Sequence, residues 1–382
     1  MKHYDYIIAG AGAAGLSLVH HLLQTRLRDR RILIIDRDEK QRNDRTWCFW
    51  EVGAGPFEEV VCQQWYHLYF HGQDYSERMD IRPYAYKMIR SSDFYAYVKS
   101  EVAACPNVTW RSAEVQSTRD ITGGAQVVTS EDTFTADWVF SSLRDPHEQS
   151  SLNGYIYLLQ HFKGWVIQTP HDFFDPKQAT LMDFRVDQYN DCRFFYVLPT
   201  DLRRALVEFT LFSPALLPEQ EYETELKAYL RRFLSLEEYT ITHEEFGVIP
   251  MTNQPYPTQR SERVINLGTA GGLTKPSTGY TFQRIQQDSQ QLVGALLRSG
   301  RPERHLTAWQ QRFHLYDSTL LHVINNHRYS VKEIFTDIFQ HNPADRVLRF
   351  LGEETNFVEE VRVASSVRKG EFIRGMWQAI SS

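Results

Sequence analysis

The chain is poor in cysteine, with four in 382 residues (Cys48, Cys62, Cys105 and Cys192) and none at CxxC or CxxH spacing. This argues against a disulfide scaffold and offers no zinc pattern, so no metal is expected. Long apolar runs are missing as well. No stretch reaches about eighteen apolar residues, so no transmembrane helix is expected. The N-terminal apolar segment is interrupted by Asp5 and leads into glycines, the pattern of a strand rather than of a signal peptide. There is no basic excess: the formal net charge is −6, which gives no support to a nucleic-acid partner. Internal repeats and low-complexity tracts are absent. What remains is 42% hydrophobic and 24% charged, the composition of a folded protein long enough for two domains, one of them discontinuous. The expected location is the cytoplasm, with surface association to a membrane left open.

Aromatic residues are abundant: 23 Phe, 20 Tyr and 8 Trp make 13% of the chain. They fit either a large π-lined pocket or a heavy aromatic core. The most informative stretch is the first thirty-six residues. Tyr4–Ala9 reads as a buried strand, Gly10-Ala11-Gly12-Ala13-Ala14-Gly15 follows at once, a helix runs from Leu16 to about Thr25, and a second strand over 31–35 ends in Asp36. Gly10 permits a tight turn, Gly12 lets the backbone approach a pyrophosphate, and Gly15 lets helix and strand pack closely. The helix N-terminus offers free N–H groups and a partial positive charge. Asp36, twenty-one residues after Gly15, is placed to bind a ribose diol and would repel a 2′-phosphate. A dinucleotide is therefore expected, NAD or FAD.

The segment Arg45-Thr46-Trp47-Cys48-Phe49-Trp50-Glu51 reads as a loop over that cofactor, with Arg45 near phosphate and the aromatics facing the active site, or else as core packing. His67 and His71 read as strand-surface histidines. Ser92 or Asp93 is expected to cap a helix to about Ala104. Five strands are expected between Tyr155 and Phe212, over 155–159, 164–168, 179–184, 193–198 and 204–212, and without intervening helices they argue for an antiparallel sheet. Within it, alternation puts Leu206, Glu208 and Thr210 on one face and Val207, Phe209 and Leu211 on the other. Glu208 is either a solvated edge residue or a buried carboxyl with a raised pKa, fit for a general acid. Asp183 is a second acid in an apolar strand, with Arg185 on its own face as a possible partner.

A second strand, over 263–268, meets a small-residue loop, 269–280, and a helix from about Thr281 to Leu297. Two places where a glycine loop meets a helix N-terminus suit FAD gripped at both ends better than NAD. Gly268, Gly271, Gly272, Thr278 and Gly279 are the candidate contacts. From about Arg301 to Ser382 the pattern is helical, beginning with His305–Phe335. Arg346, Arg349, Arg362, Arg368, Lys369 and Arg374 cluster there with Phe372 and Trp377, either as a surface for anionic lipid or as a solvated cap. The fold class is α/β: a Rossmann-type FAD-binding domain (1–60, 91–145 and 262–300), an antiparallel-sheet substrate domain (61–90 and 146–261) and a helical C-terminal region (301–382).

Together these segments resemble the flavoprotein lycopene cyclases, the bacterial lycopene β-cyclase type, over most of the chain. The resemblance rests on Gly10/Gly12/Gly15, Arg45–Phe49, Met182-Asp183, Arg193–Pro199, Leu206-Val207-Glu208-Phe209-Thr210, Gly247–Pro250 and Pro276-Ser277-Thr278-Gly279-Tyr280. It implies cyclisation of the ψ-ends of lycopene through γ-carotene to β-carotene, with no net redox change. It also implies reduced FAD, with NAD(P)H as the reductant. Glu208 is then the acid, and Asp183 assists proton delivery or the final deprotonation. Trp47, Phe49, Phe195, Tyr196 and Tyr280 are the candidate pocket walls. A water-insoluble substrate implies peripheral association with the inner face of the cell membrane. Two positions depart from the family. Phe209 stands where a second acid is frequent, which puts a paired-carboxylate mechanism in doubt, and Lys275 replaces a histidine, with a role toward FAD phosphate. An FAD-dependent monooxygenase on an apolar substrate and a non-catalytic flavin- or NAD-binding redox sensor are the competing readings.

Overall fold

The structure, a computed structural model, describes residues 2–144, 154–304 and 308–381. The expected boundary at 145/146 and the start of the helical stretch at His305 lie outside these residues. In chain order the first elements are β1 (His3–Ala9), α1 (Ala13–Leu23), β2 (Ile32–Asp36), β3 (Thr46–Val52), β4 (Val61–Trp65), β5 (His67–His71), β6 (Ser76–Asp80), β7 (Tyr84–Arg90) and α2 (Ser91–Ala103). Next come β8 (Val108–Ser112), β9 (Val115–Ile121), β10 (Gly124–Thr129), β11 (Thr133–Ser141), β12 (Tyr157–Gln168), β13 (Gln178–Asp183), β14 (Cys192–Pro199) and β15 (Arg204–Ser213). The rest is α3 (Glu219–Phe233), β16 (Thr240–Thr252), β17 (Gln259–Ser261), β18 (Val264–Asn266), α4 (Phe282–Ser299), α5 (Ala308–Asn325), α6 (Val331–His341), α7 (Ala344–Leu351), α8 (Phe357–Ser365) and α9 (Lys369–Ser381).

Three sheets organise these elements. The first runs β17-β18-β11-β1-β2-β8, with β9 and β10 branching from β11. Its central pairs are parallel. Because helices and the β9–β10 hairpin cover both faces, β1 and β2 are almost continuously apolar, as the runs Tyr6–Ala9 and Ile32–Ile35 require. The second runs β16-β12-β15-β14-β13-β5-β6 and is antiparallel except where β13 meets β5. One face carries Trp165, Phe195, Val207, Phe209 and Leu211 and buries them under Tyr222, Leu226 and Tyr229 of α3. The other face carries Phe194, Tyr196, Leu198 and Leu206 against Trp50, Trp65 and Tyr86 and the C-terminal helices. Each such side chain contributes roughly 1.5–3 kcal/mol of transfer free energy, so the sheet is anchored from both sides.

The third sheet, β3-β7-β4, corrects the reading of Arg45–Glu51 as a loop. Thr46 to Val52 pair antiparallel with Arg90 to Tyr84, which stiffens the segment into a strand. Residues 155–168 also differ from expectation: one strand, β12, replaces two, since its polar residues still find ladder partners in β15 and β16. Helix α2 begins at Ser91 after Arg90, with no side-chain cap from Ser92 or Asp93. The Ser91 hydroxyl instead accepts the Arg45 N–H, at 3.0 Å, tying the helix start to β3.

Candidate active site

A cavity of about 500 Å³ lies between the first and second sheets. One end is walled by Gly12, Ala13 and Ala14 at the start of α1, by Lys40 and Arg144, and by Gly268 and Thr269, with Arg45 lying toward Glu245 and donating to the Phe246 carbonyl (3.2 Å). The other is walled by Glu208, Glu245, Tyr86, Tyr196, Tyr280 and Leu206.

The acid end is a product of strand register. Tyr196 on β14 stands beside Glu208 on β15, Glu208 beside Gly164 on β12, and Gly164 beside Glu245 on β16. One row across four strands thus presents a phenol, a carboxyl, a gap and a second carboxyl on the same face. The gap matters. A Cβ at Gly164 would come 3.1 Å from Glu245 Cγ and 2.9 Å from Leu206 Cδ1. Glycine lets Glu245 lean across the row toward Glu208. Burial pushes the Glu208 carboxyl well above the ordinary range, and the Glu245 charge and a hydrogen bond with it push further, against a hydrogen bond from Thr210 (2.8 Å). Burial raises Glu245 too, but hydrogen bonds from Thr46 (2.7 Å) and Glu208, with His243 and Arg45 nearby, hold it back. Glu208 is driven up further than Glu245, so of the two carboxyls it is the one that keeps its proton to higher pH. Glu208 keeps some accessible surface only because it faces the cavity. Tyr86, Tyr196 and Tyr280 remain neutral, their hydroxyls pushed up chiefly by burial, and their ring faces offer negative potential.

The opposite end fits a dinucleotide. Neither α1 nor α4 has a side-chain cap at its N-terminus, so their first N–H groups stay available to an anion. A Cβ on Gly15 would lie 1.9 Å from the Gly10 carbonyl oxygen, whereas one on Gly12 would meet nothing within 4 Å. Gly15 serves packing, and Gly12 keeps the cavity open. Gly279, with φ of +73°, is needed for its backbone and because a Cβ would reach 2.1 Å from Gln160 Oε1. Asp36 accepts the Ala11 N–H (2.6 Å) and the Asp38 N–H (2.8 Å), which braces the glycine turn against β2.

The cavity brings together Gly12, Arg45, Trp47, Tyr196, Glu208, Gly268, Gly279 and Tyr280. Other expected residues lie elsewhere. Phe195 follows Phe194 and precedes Tyr196 in a strand, so it faces the other way and stacks on Tyr229 with centroids 3.9 Å apart. Phe49 stacks on Phe282 at 4.6 Å in the core. Gly271 packs on the Asn266 carbonyl and Gly272 on Tyr256, both shaping the turn rather than the wall. Thr278 is buried outside the lining. Lys275 points away from the glycine end and pairs with Asp317 (2.8 Å) and Glu353 (2.9 Å).

Asp183 is fully buried and lies outside the cavity wall. Burial alone would raise its pKa, but hydrogen bonds from Arg185 (2.9 Å) and Tyr229 (2.7 Å) outweigh that and hold it low. It is a structural ion pair. Asp183→Asn is expected to cost about 3–5 kcal/mol of stability, read by denaturant midpoint, without changing the product made by the folded fraction. A depressed pKa stabilises above the unfolded value and loses that contribution as pH falls through the folded value, so the deficit should shrink in acid.

The comparisons with known proteins agree with this geometry. Residues 5–380 match the family described as lycopene cyclase protein. The chain belongs to the lycopene cyclase family. It is 24% identical over 318 residues to a chloroplastic neoxanthin synthase of Solanum tuberosum, covering 77% of this chain and 61% of that protein. It is 26% identical over 293 residues to a lycopene beta-cyclase of Pantoea ananas, covering 73% and 71%. The chain thus spans less than two thirds of the first relative's length. Among solved structures, a geranylgeranyl bacteriochlorophyll reductase-like protein from Thermoplasma acidophilum superposes with a TM-score of 0.69 at 12% identity, over 99% of this chain and 100% of that one. A single-residue mutant of the halogenase PltM in complex with FAD gives 0.62 at 13% identity, over 97% and 85%. This member of the lycopene cyclase family therefore has the mixed α/β, Rossmann-type fold of FAD-dependent flavoproteins. Glu245 escaped the sequence reading, although Glu245, Gly247 and Ile249 alternate into one face just before Pro250.

Proposed function

We propose that this chain is a lycopene β-cyclase that converts lycopene through γ-carotene to β-carotene without net redox change. The observation that carries the reading is the register that sets Glu208 in one row with Tyr196 and Glu245, in a cavity also lined by Tyr86 and Tyr280, where burial pushes the Glu208 carboxyl well above its ordinary range. Glu208 donates its proton to an end-group alkene, which closes the ring and leaves a carbocation. Tyr86, Tyr196 and Tyr280 stabilise that cation through their ring faces and, with Leu206, keep water from capturing it. Loss of a ring proton to the Glu208–Glu245 pair restores the acid, so hydrogens and electrons balance over the cycle. The cofactor is FAD: Gly10, Gly12 and Gly15 with the α1 N-terminus take the pyrophosphate, Asp36 the ribose, and Gly268 and Gly279 the second grip. Bound in its reduced form, with NAD(P)H as the reductant, FAD would supply negative charge that favours a cation in the cavity. Lycopene is insoluble in water, so the protein works at the inner face of the cell membrane as a peripheral protein.

Expression in lycopene-accumulating cells, with pigment chromatography, tests the reading. β-Carotene is expected. Unchanged lycopene, or an oxygenated product formed with stoichiometric NAD(P)H and O₂ consumption, would overturn it. Cofactor binding has its own test. Gly12→Val is expected to change stability by no more than about 1 kcal/mol, since its Cβ meets open space, yet to purify without flavin absorbance. Full flavin content in that variant would move the cofactor elsewhere.

A further inference from the structure

Helices α5 to α9 enclose a second cavity of about 440 Å³ that shares no lining residue with the acid cavity. Phe313, Ile334, Phe335, Ile338, Phe350 and Val363 give it a hydrocarbon wall. Its buried charged wall groups are engaged, Asp317 with Lys275 and Ser277 and Glu360 with Arg312, while Lys369 stands at the wall without an ion pair among the described residues. Val361 of α8 and Ile373 and Met376 of α9 both line the chamber and lie on the protein surface, so the chamber opens between these helices. Around that mouth the apolar surface continues. Ile373, Met376, Trp377 and Ile380 form one helical stripe, Phe357, Val358 and Val361 a second, and all seven are 37–66% exposed. They are seven of the seventeen large apolar side chains exposed among the described residues. Gly375 sets the opposite side of α9 tightly on Val323 and Thr319 of α5, which fixes the stripe outward.

The expected basic patch takes a different form. Arg349 is held by Asp345 and Glu359, Arg368 by Glu333 and Arg374 by Glu371. Arg346, Arg362 and Lys369 carry no ion pair among the described residues, and Arg346 donates to the Asn342 side chain instead (3.3 Å). An apolar face with a Trp, rimmed by Arg362 and Lys369, matches the interface of a bilayer containing anionic lipid. A flat protein partner would leave the open chamber as a void, whereas hydrocarbon chains can fill it.

We infer that α8 and α9 lie in the surface of a lipid bilayer and that the chamber beneath them admits hydrocarbon from it. That this hydrocarbon includes the substrate rests on the proposed cyclase reading. Flotation with vesicles of phosphatidylcholine, alone or with phosphatidylglycerol, tests the docking. Wild type should float with both and more with the anionic lipid. Trp377→Glu with Ile380→Glu should weaken binding by at least about tenfold, while Leu202→Glu, an exposed position in the turn before β15, should float like wild type. Turnover of the double variant should be unchanged with lycopene in detergent micelles and slowed with lycopene in vesicles. Flotation of the double variant equal to wild type would overturn the inference. So would a wild-type dimer that does not float and that the variant splits. Absence of turnover in every format, with the flotation pattern intact, would overturn the activity and leave the docking standing.

Discussion

Glu208→Gln is expected to yield a folded, flavin-retaining protein in which β-carotene formation falls by about 10²–10⁴-fold, the usual worth of a positioned acid. Glutamine keeps the shape and can still accept the Thr210 hydroxyl, but it has no proton acidic enough for an alkene. The same substitution tests the burial of the carboxyl. Because burial raises the folded pKa above the unfolded one, the folded protein holds an extra proton in the window between them. Stability from this group is present below the unfolded pKa and is lost as pH rises through the folded value. Gln removes that loss, so the melting temperature of the variant should gain on wild type as pH increases. Substantial β-carotene from Glu208→Gln would end the acid assignment. A melting-temperature difference that does not change with pH would end the claim that the carboxyl is buried and neutral.

How far such a site can be read from sequence depends on where its information is stored. The Gly10–Gly15 turn and Asp36 are legible because strand, turn and helix are neighbours in the chain. Glu208 is legible because alternation within one strand separates it from Phe209. Alternation also separates Phe195 from Tyr196, so the misplacement of Phe195 in the pocket had a signal against it. Arg45–Glu51 looked like a loop because its ladder partner is β7, on the far side of β4 to β6. Lys275 could not be placed from sequence, since its partners Asp317 and Glu353 come from the C-terminal helices. Phe209 excludes a second acid only beside the first in the chain. In the fold the second acid arrives from β16, two strands away, and a glycine between them makes the approach possible.

That approach predicts what loss of the second acid does. In Glu245→Gln, Glu208 loses the like charge that helps raise its pKa, while the amide oxygen can still accept its proton. Its pKa should move down toward the ordinary range, so the basic limb of the pH–rate profile should move to lower pH, and turnover near neutrality should fall by about 10–10²-fold. Flavin content should not change, because Glu245 stands at the far end of the cavity from Gly12. Gly164→Ala provides a gentler version through the same contact. A methyl 3.1 Å from Glu245 Cγ must displace that side chain, so the limb should move in the same direction by less, with Glu208 and Glu245 both still present. Unchanged rate and limb position in both variants would make Glu245 a bystander and leave Glu208 as a solitary acid raised by burial alone. A limb that moves to higher pH would reverse the electrostatic argument, because then Glu245 would have to be neutral when Glu208 ionises.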